Sequence, residues 1–139
     1  MCFMLYLGSD KELKIGKFDF HNPKVQITEM KKRSHPVAKH FSKNNVYYVA
    51  STEACGCSFR QEEDVFEPDM SKQNEVKENQ LQLANLLRNL LEEEQSIELF
   101  GSWAGDEDKL KSSKIIGVND LLENEFFFEE KELLTVKIL

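Results

Sequence analysis

The chain has 139 residues, near the commonest size of a single domain, and 25 acidic against 18 basic residues give it a net charge of −7. That balance argues against nucleic acid or an anionic membrane surface as the main partner, and the short Lys31-Lys32-Arg33 cluster reads as a solvated loop. With 40% hydrophobic and 31% charged residues the composition suits a soluble domain, able at this length to bury roughly two-thirds of its unfolded surface without staples.

The first apolar run, Cys2 to Leu7, has no basic stretch before it and is broken by Gly8-Ser9-Asp10. Neither a signal peptide nor a membrane span fits, and Phe3 to Leu7 reads as a strand buried on both faces. Three cysteines and no sign of export predict reduced thiols and a cytoplasmic location. Asn22-Pro23 marks a turn before Lys24 to Thr28, whose alternation predicts a half-buried strand. His35-Pro36 opens a short helix with Val37 and Phe41 on one face. Val46 to Ala50, β-branched and aromatic, is the clearest strand.

Gln61 to Lys77 is polar and acidic, carries Pro68, and reads as a mobile connection. Beyond it Leu83, Leu86, Leu87, Leu90 and Leu91 paint one apolar stripe along a helix, with Asn74 or Asn79 as its cap. Glu92-Glu93-Glu94 sits at the unfavourable end of the helix dipole and reads as a frayed, solvated last turn. Ile97 to Trp103 alternates as a strand. A polar loop containing Ser112-Ser113 follows, then a short helix capped by Asn119. The tail reads as two strands, Glu125–Glu129 and Leu133–Ile138, around Glu130-Lys131. The expected fold is a single α+β domain over residues 1–139, with a mostly antiparallel sheet covered by the Leu-rich helix.

The chemistry-bearing stretch is Cys55-Gly56-Cys57, directly after the clearest strand. In an extended chain residues two apart share a face, with Cα atoms roughly 6.6 Å apart. That is the upper edge of disulfide geometry, about 4.4–6.8 Å, and Gly56 would let the chain fold to bring the sulfurs closer. A reactive thiol wants a cationic setting, whereas Glu53, Glu62, Glu63 and Asp64 outweigh Arg60 here. A zinc site takes four ligands, so Cys2 and one of His21, His35 or His40 would have to join the pair, whereas a cuprous copper site could use the two thiolates alone. Thiol chemistry, metal binding and plain packing stay open for it. Cys2, exposed by removal of Met1, would also have the form of an N-terminal nucleophile, although its place in an apolar strand points to the core.

A second constellation is Trp103 with Asp106, Glu107 and Asp108, an aromatic at a strand end beside clustered carboxylates. It would suit a ligand cleft, a hard cation or acid–base work, or be a packed Trp before an acidic turn. No phosphate-binding glycine loop, G-x-S-x-G or H-E-x-x-H occurs, so no catalytic set is complete and no enzyme class is assigned.

Three stretches, CFMLYLGSD (Cys2–Asp10), VYYVASTEACGCSF (Val46–Phe59) and LFGSWAGDE (Leu99–Glu107), carry a resemblance to a family of small, uncharacterised bacterial proteins in which a strand runs into a C-G-C block. The resemblance implies a bacterial, cytosolic, single-domain protein and no catalytic residue. It also suggests that the Val46 and Ile97 strands end on the same side of one sheet. Glu53, Cys55 and Cys57 would then face Trp103, Asp106 and Glu107 across a shallow cleft. The best reading at this level is a binding or interaction domain, the alternative a thiol-redox or metal-binding protein. Phe126, Phe127 and Phe128 leave a homo-oligomer open.

Overall fold

The computed structural model describes residues 3–15, 25–29, 36–51, 56–60 and 70–139. Six strands form one sheet: β1 (Phe3–Ser9), β2 (Gln26–Glu29), β3 (Asn45–Ala50), β4 (Ile97–Trp103), β5 (Ser112–Gly117) and β6 (Glu132–Lys137), in the order β2-β3-β1-β4-β6-β5. The expected α+β fold is thus present, with the sheet covered by one long helix, α1 (Met70–Leu90), and 3-10 turns at Pro36–His40, Cys57–Phe59 and Val118–Leu122. Among the described residues β1–β3, β1–β4, β2–β3 and β4–β6 pair antiparallel, and β5–β6 pair in parallel.

The apolar N-terminal run becomes the central strand because only a strand with neighbours on both edges and layers on both faces can bury such a sequence. Phe3, Leu5 and Leu7 point to the α1 side, where they meet Leu83, Leu87, Ile97 and Leu99 in the main core. Tyr6 points the other way, into a smaller cluster with Val37 and Phe100 that Met4, Phe41 and Tyr48 flank. The alternation of β1 and β4 therefore feeds two cores, one on each face.

Several expectations are corrected. Met70 to Lys77, within the acidic connection expected at about 61–77, are the first eight residues of α1; 61–69 lie outside the described residues. The helix reaches back because Val76 continues the Leu83 stripe and is 8% exposed, with buried amides at Asn79 and Gln80 beside it. Asn74 and Asn79 are therefore interior helix residues. Asn79 accepts a hydrogen bond from Ser51 Oγ at 2.8 Å, which ties α1 to the end of β3.

The stretch read as a polar loop at Ser112-Ser113 is β5, an edge strand whose first four residues are exposed. No C-terminal hairpin forms. Parallel strands need a crossover, and the chain from Val118 to Lys131 is that crossover, carrying Leu121 and Phe128 into the core under α1. Phe126 and Phe128 meet edge to face at 4.9 Å there. Finally, the glutamates after α1 are not frayed: Glu94 accepts from Ser9 Oγ at 2.5 Å and from the Asp10 N–H at 2.7 Å, and Glu93 pairs with Lys11.

Candidate functional site

β3 and β4 both run antiparallel to β1, so they end on the same side of the sheet, with the start of β1 between them. β4 accompanies β1 to its first residue, Trp103 standing opposite Phe3, whereas β3 pairs no further than Val49 opposite Leu5. That leaves the backbone of Phe3 without a strand partner on the β3 side. Gly56 and Cys57 fill that place. Gly56 N–H donates to Phe3 O at 2.9 Å, and Phe3 N–H donates to Cys57 Sγ at 3.2 Å. A sulfur here takes the place of a ladder carbonyl, satisfying an N–H that burial would otherwise orphan. The glycine follows from the same approach: a Cβ on Gly56 would lie 2.9 Å from Leu5 N and 3.0 Å from Phe3 O.

Around Phe3 an aromatic cage closes. Trp103 meets it edge to face at 5.6 Å. The guanidinium of Arg60, three residues after Cys57, lies 4.8 Å from the Phe3 ring, 5.3 Å from Trp103 and 4.3 Å from Phe127. Its Nε and Nη1 are buried, and among the described residues neither has a hydrogen-bond acceptor. Against this cage opens a cleft of about 390 Å³ between the start of α1 and the crossover, with Phe59, Val76, Phe126 and Phe127 in its wall.

The acidic loop after β4 goes elsewhere. It turns through Gly105, whose φ of 93° is glycine territory, and sends Asp106 and Glu107 to different partners. Asp106 pairs with Lys131 Nζ at 2.7 Å, and this partner raises the Lys131 ammonium above its ordinary value. Glu107 folds over the face of the sheet away from α1. Its Oε1 accepts from Tyr6 O–H at 3.2 Å, its Oε2 from the Gly105 N–H at 2.9 Å, and its own carbonyl accepts from His40 Nε2–H at 2.8 Å. The rings of Tyr6 and Tyr48 meet at a tilt of 40°, their centroids 5.2 Å apart. Burial first, and then the Glu107 charge, pushes both phenols above their ordinary value. The result is a closed acid–phenol cluster in which Tyr6 is held neutral as a donor to a carboxylate.

Of the predicted site residues, then, Cys57 and Trp103 come together on the α1 side through Phe3, while Asp106 and Glu107 are engaged with Lys131 and Tyr6. Glu53 and Cys55 lie outside the described residues, as do Cys2, His21 and His35. His40, named from the sequence only as a possible metal ligand, ties the Glu107 loop to the 3-10 turn. Sequence reasoning weighed Arg60 only as a cation near the thiols and Phe127 only as part of the aromatic tail, and gave Tyr6 and Tyr48 no role beyond their strands. The available signal was an arginine three residues after the Cys-Gly-Cys block, but its ring partners sit far away in the chain.

Among the described residues no three His, Cys, Asp or Glu side chains gather as a metal-ligand set, and no helix is long and apolar enough to cross a membrane. Comparison with protein-family models, with curated proteins and with solved structures finds no significant match.

Proposed function

We propose that the chain is a small cytoplasmic binding domain, bacterial in type, that holds an anionic ligand at the shared end of β3 and β4 through Arg60. One observation carries this reading: two buried guanidinium nitrogens, Nε and Nη1, without an acceptor among the described residues. Leaving charged donors buried and unpaired is costly, and the surrounding ring faces recover only part of that cost as cation–π attraction. Unsatisfied buried polar groups in a folded protein call for an explanation, and a ligand oxygen is the one that suits a guanidinium in a cage beside a cleft.

The test is a titration of the Arg60 Nε–H resonance with sodium acetate, against sodium chloride at matched ionic strength. A saturable shift with acetate alone, accompanied by a shift of the neighbouring Trp103 indole N–H that is lost in Arg60→Gln, supports the reading. An identical response to both salts overturns it.

The second reading is thiol or metal chemistry at the cysteine pair, favoured by Cys57 being a free, half-buried thiol. Bound zinc or copper near one equivalent in protein purified without chelator, or reversible oxidation of two thiols under native conditions, would move the function there.

A further inference from the structure

We infer that the ligand is an aryl carboxylate: its carboxylate meets Arg60 while its ring occupies the cleft between α1 and the crossover. This rests on the reading of Arg60 as an anion anchor and extends it by joining two features that share a wall. Phe127 touches both, its ring lying over the guanidinium at 4.3 Å while also lining the cleft. Phe59, in the cleft wall, is the residue directly before Arg60. A head group at Arg60 and a body in the cleft are therefore parts of one molecule of modest length.

The cleft fixes the chemistry of the body. At about 390 Å³ it lies near the small end of the range for small-molecule sites, roughly 300–1,000 Å³. That is room for one ring with a short side arm. Phe59, Phe126 and Phe127 offer rings to an aromatic guest, which prefers offset or edge-to-face partners, and Val76 adds aliphatic surface beside them. Gln73 and Gln80 add amides along the α1 wall, and Gln80 is already oriented, its Nε2 donating to Phe59 O at 3.3 Å.

Charge then selects among anions. Glu123 and Glu125 stand at the cleft and outweigh Lys77. A dianion such as phosphate would be repelled there more strongly than a singly charged carboxylate, which the guanidinium fork also matches. In the unliganded chain Nε and Nη1 are covered, and the half-buried ring of Phe127 is the cover best able to turn aside, because it belongs to the irregular crossover rather than to a strand.

The experiment is calorimetric titration of the full chain with phenylacetate, acetate, phenethylamine and inorganic phosphate, repeated on Asn124→Trp. Asn124 is exposed and lines the cleft, so a large ring there fills it from the rim without touching the core. Gln73→Trp, from the opposite wall, serves as the second filling variant, and unchanged circular dichroism controls for folding. Phenylacetate is expected to bind about tenfold or more tighter than acetate, the gain of burying one ring. Both filling variants are expected to abolish that gain while leaving acetate unchanged. Phenethylamine and phosphate are expected to bind worse than phenylacetate. Equal affinity for acetate and phenylacetate would overturn the cleft assignment and leave the Arg60 anchor standing. No binding of either carboxylate, or phenethylamine binding as well as phenylacetate, would overturn the anchor and this inference with it.

Discussion

Replacing Tyr6 by Phe removes one oxygen from the most enclosed acid–phenol contact described. Tyr6 is 1% exposed and Glu107 8%. The ring keeps its packing against Tyr48, so the substitution removes the O–H alone, which donates to Glu107 Oε1 and also bonds Tyr48; the cycle with Glu107 separates the first contact from the second. A hydrogen bond to a charged acceptor is worth about 1.5–3 kcal/mol. At 3.2 Å the contact is long, and the Gly105 N–H still serves the other carboxylate oxygen. Both place the loss at the low end, about 1.5–2 kcal/mol. For 139 residues that lowers Tm by roughly 5–7 °C.

Urea denaturation of Tyr6→Phe, Glu107→Ala and the double variant is the assay, with a coupling of about 1 kcal/mol expected between the two sites. The pH dependence gives a second reading. The unfolded phenol loses its proton near the ordinary value of 10.0, while burial, Glu107 and Tyr48 make folded Tyr6 keep its own to higher pH. Its contribution is therefore intact below pH 10 and falls away as pH rises beyond it, by up to about 1.4 kcal/mol per pH unit for one proton. Tyr6→Phe is expected to flatten that alkaline decline. A loss below about 0.5 kcal/mol, additivity within error, or an unchanged alkaline slope would each refute the reasoning.

Three further outcomes are expected. Gly101→Ala puts a Cβ 2.5 Å from Phe3 Cζ, and because that ring is wedged against Trp103 the overpacking is expected to cost about 1–3 kcal/mol and to shift Trp fluorescence. Cys57→Ala orphans the Phe3 N–H, with a loss of about 1–2 kcal/mol in chemical denaturation; native Cys57 should react with thiol reagents more slowly than after unfolding. Glu94→Ala releases the Asp10 N–H and the Ser9 hydroxyl, seen as faster hydrogen exchange at Asp10 and a stability loss of about 1–2 kcal/mol.

What was legible in the sequence was whatever burial had written as pattern. β1, β3 and β4 are apolar or alternating runs because they fill the middle of the sheet, and the leucine stripe of α1 meets them directly. β5 was illegible because an edge strand open to solvent needs no apolar alternation, and Ser112 to Ile115 are all exposed. The start of α1 was hidden because Asn79 and Gln80 are buried as amides, which a search for apolar periodicity skips. Phe126 to Phe128 have the composition of a strand yet serve a crossover, a choice made by the parallel pairing of β5 with β6 and not by local propensity. At the site, the shared end of β3 and β4 followed from strand direction once both flanked β1. The cage did not, since Phe3, Arg60, Trp103 and Phe127 meet only after the whole sheet is assembled.

The strand order also has a consequence for how the molecule comes into being. β1 lies at the centre of the sheet, yet its second edge is covered only by β4. A nascent chain can zip β1 to β3 and β2, but that half-sheet shows one open edge and an apolar face until α1 and β4 have left the ribosome. β6 and its crossover then close the far side. Such non-local closure is slow and exposes pairing-competent edges in the interval. The domain is thus one that commits late, with its final strands acting as the latch, and slowing their arrival would leave a half-built sheet free to pair with another copy of itself.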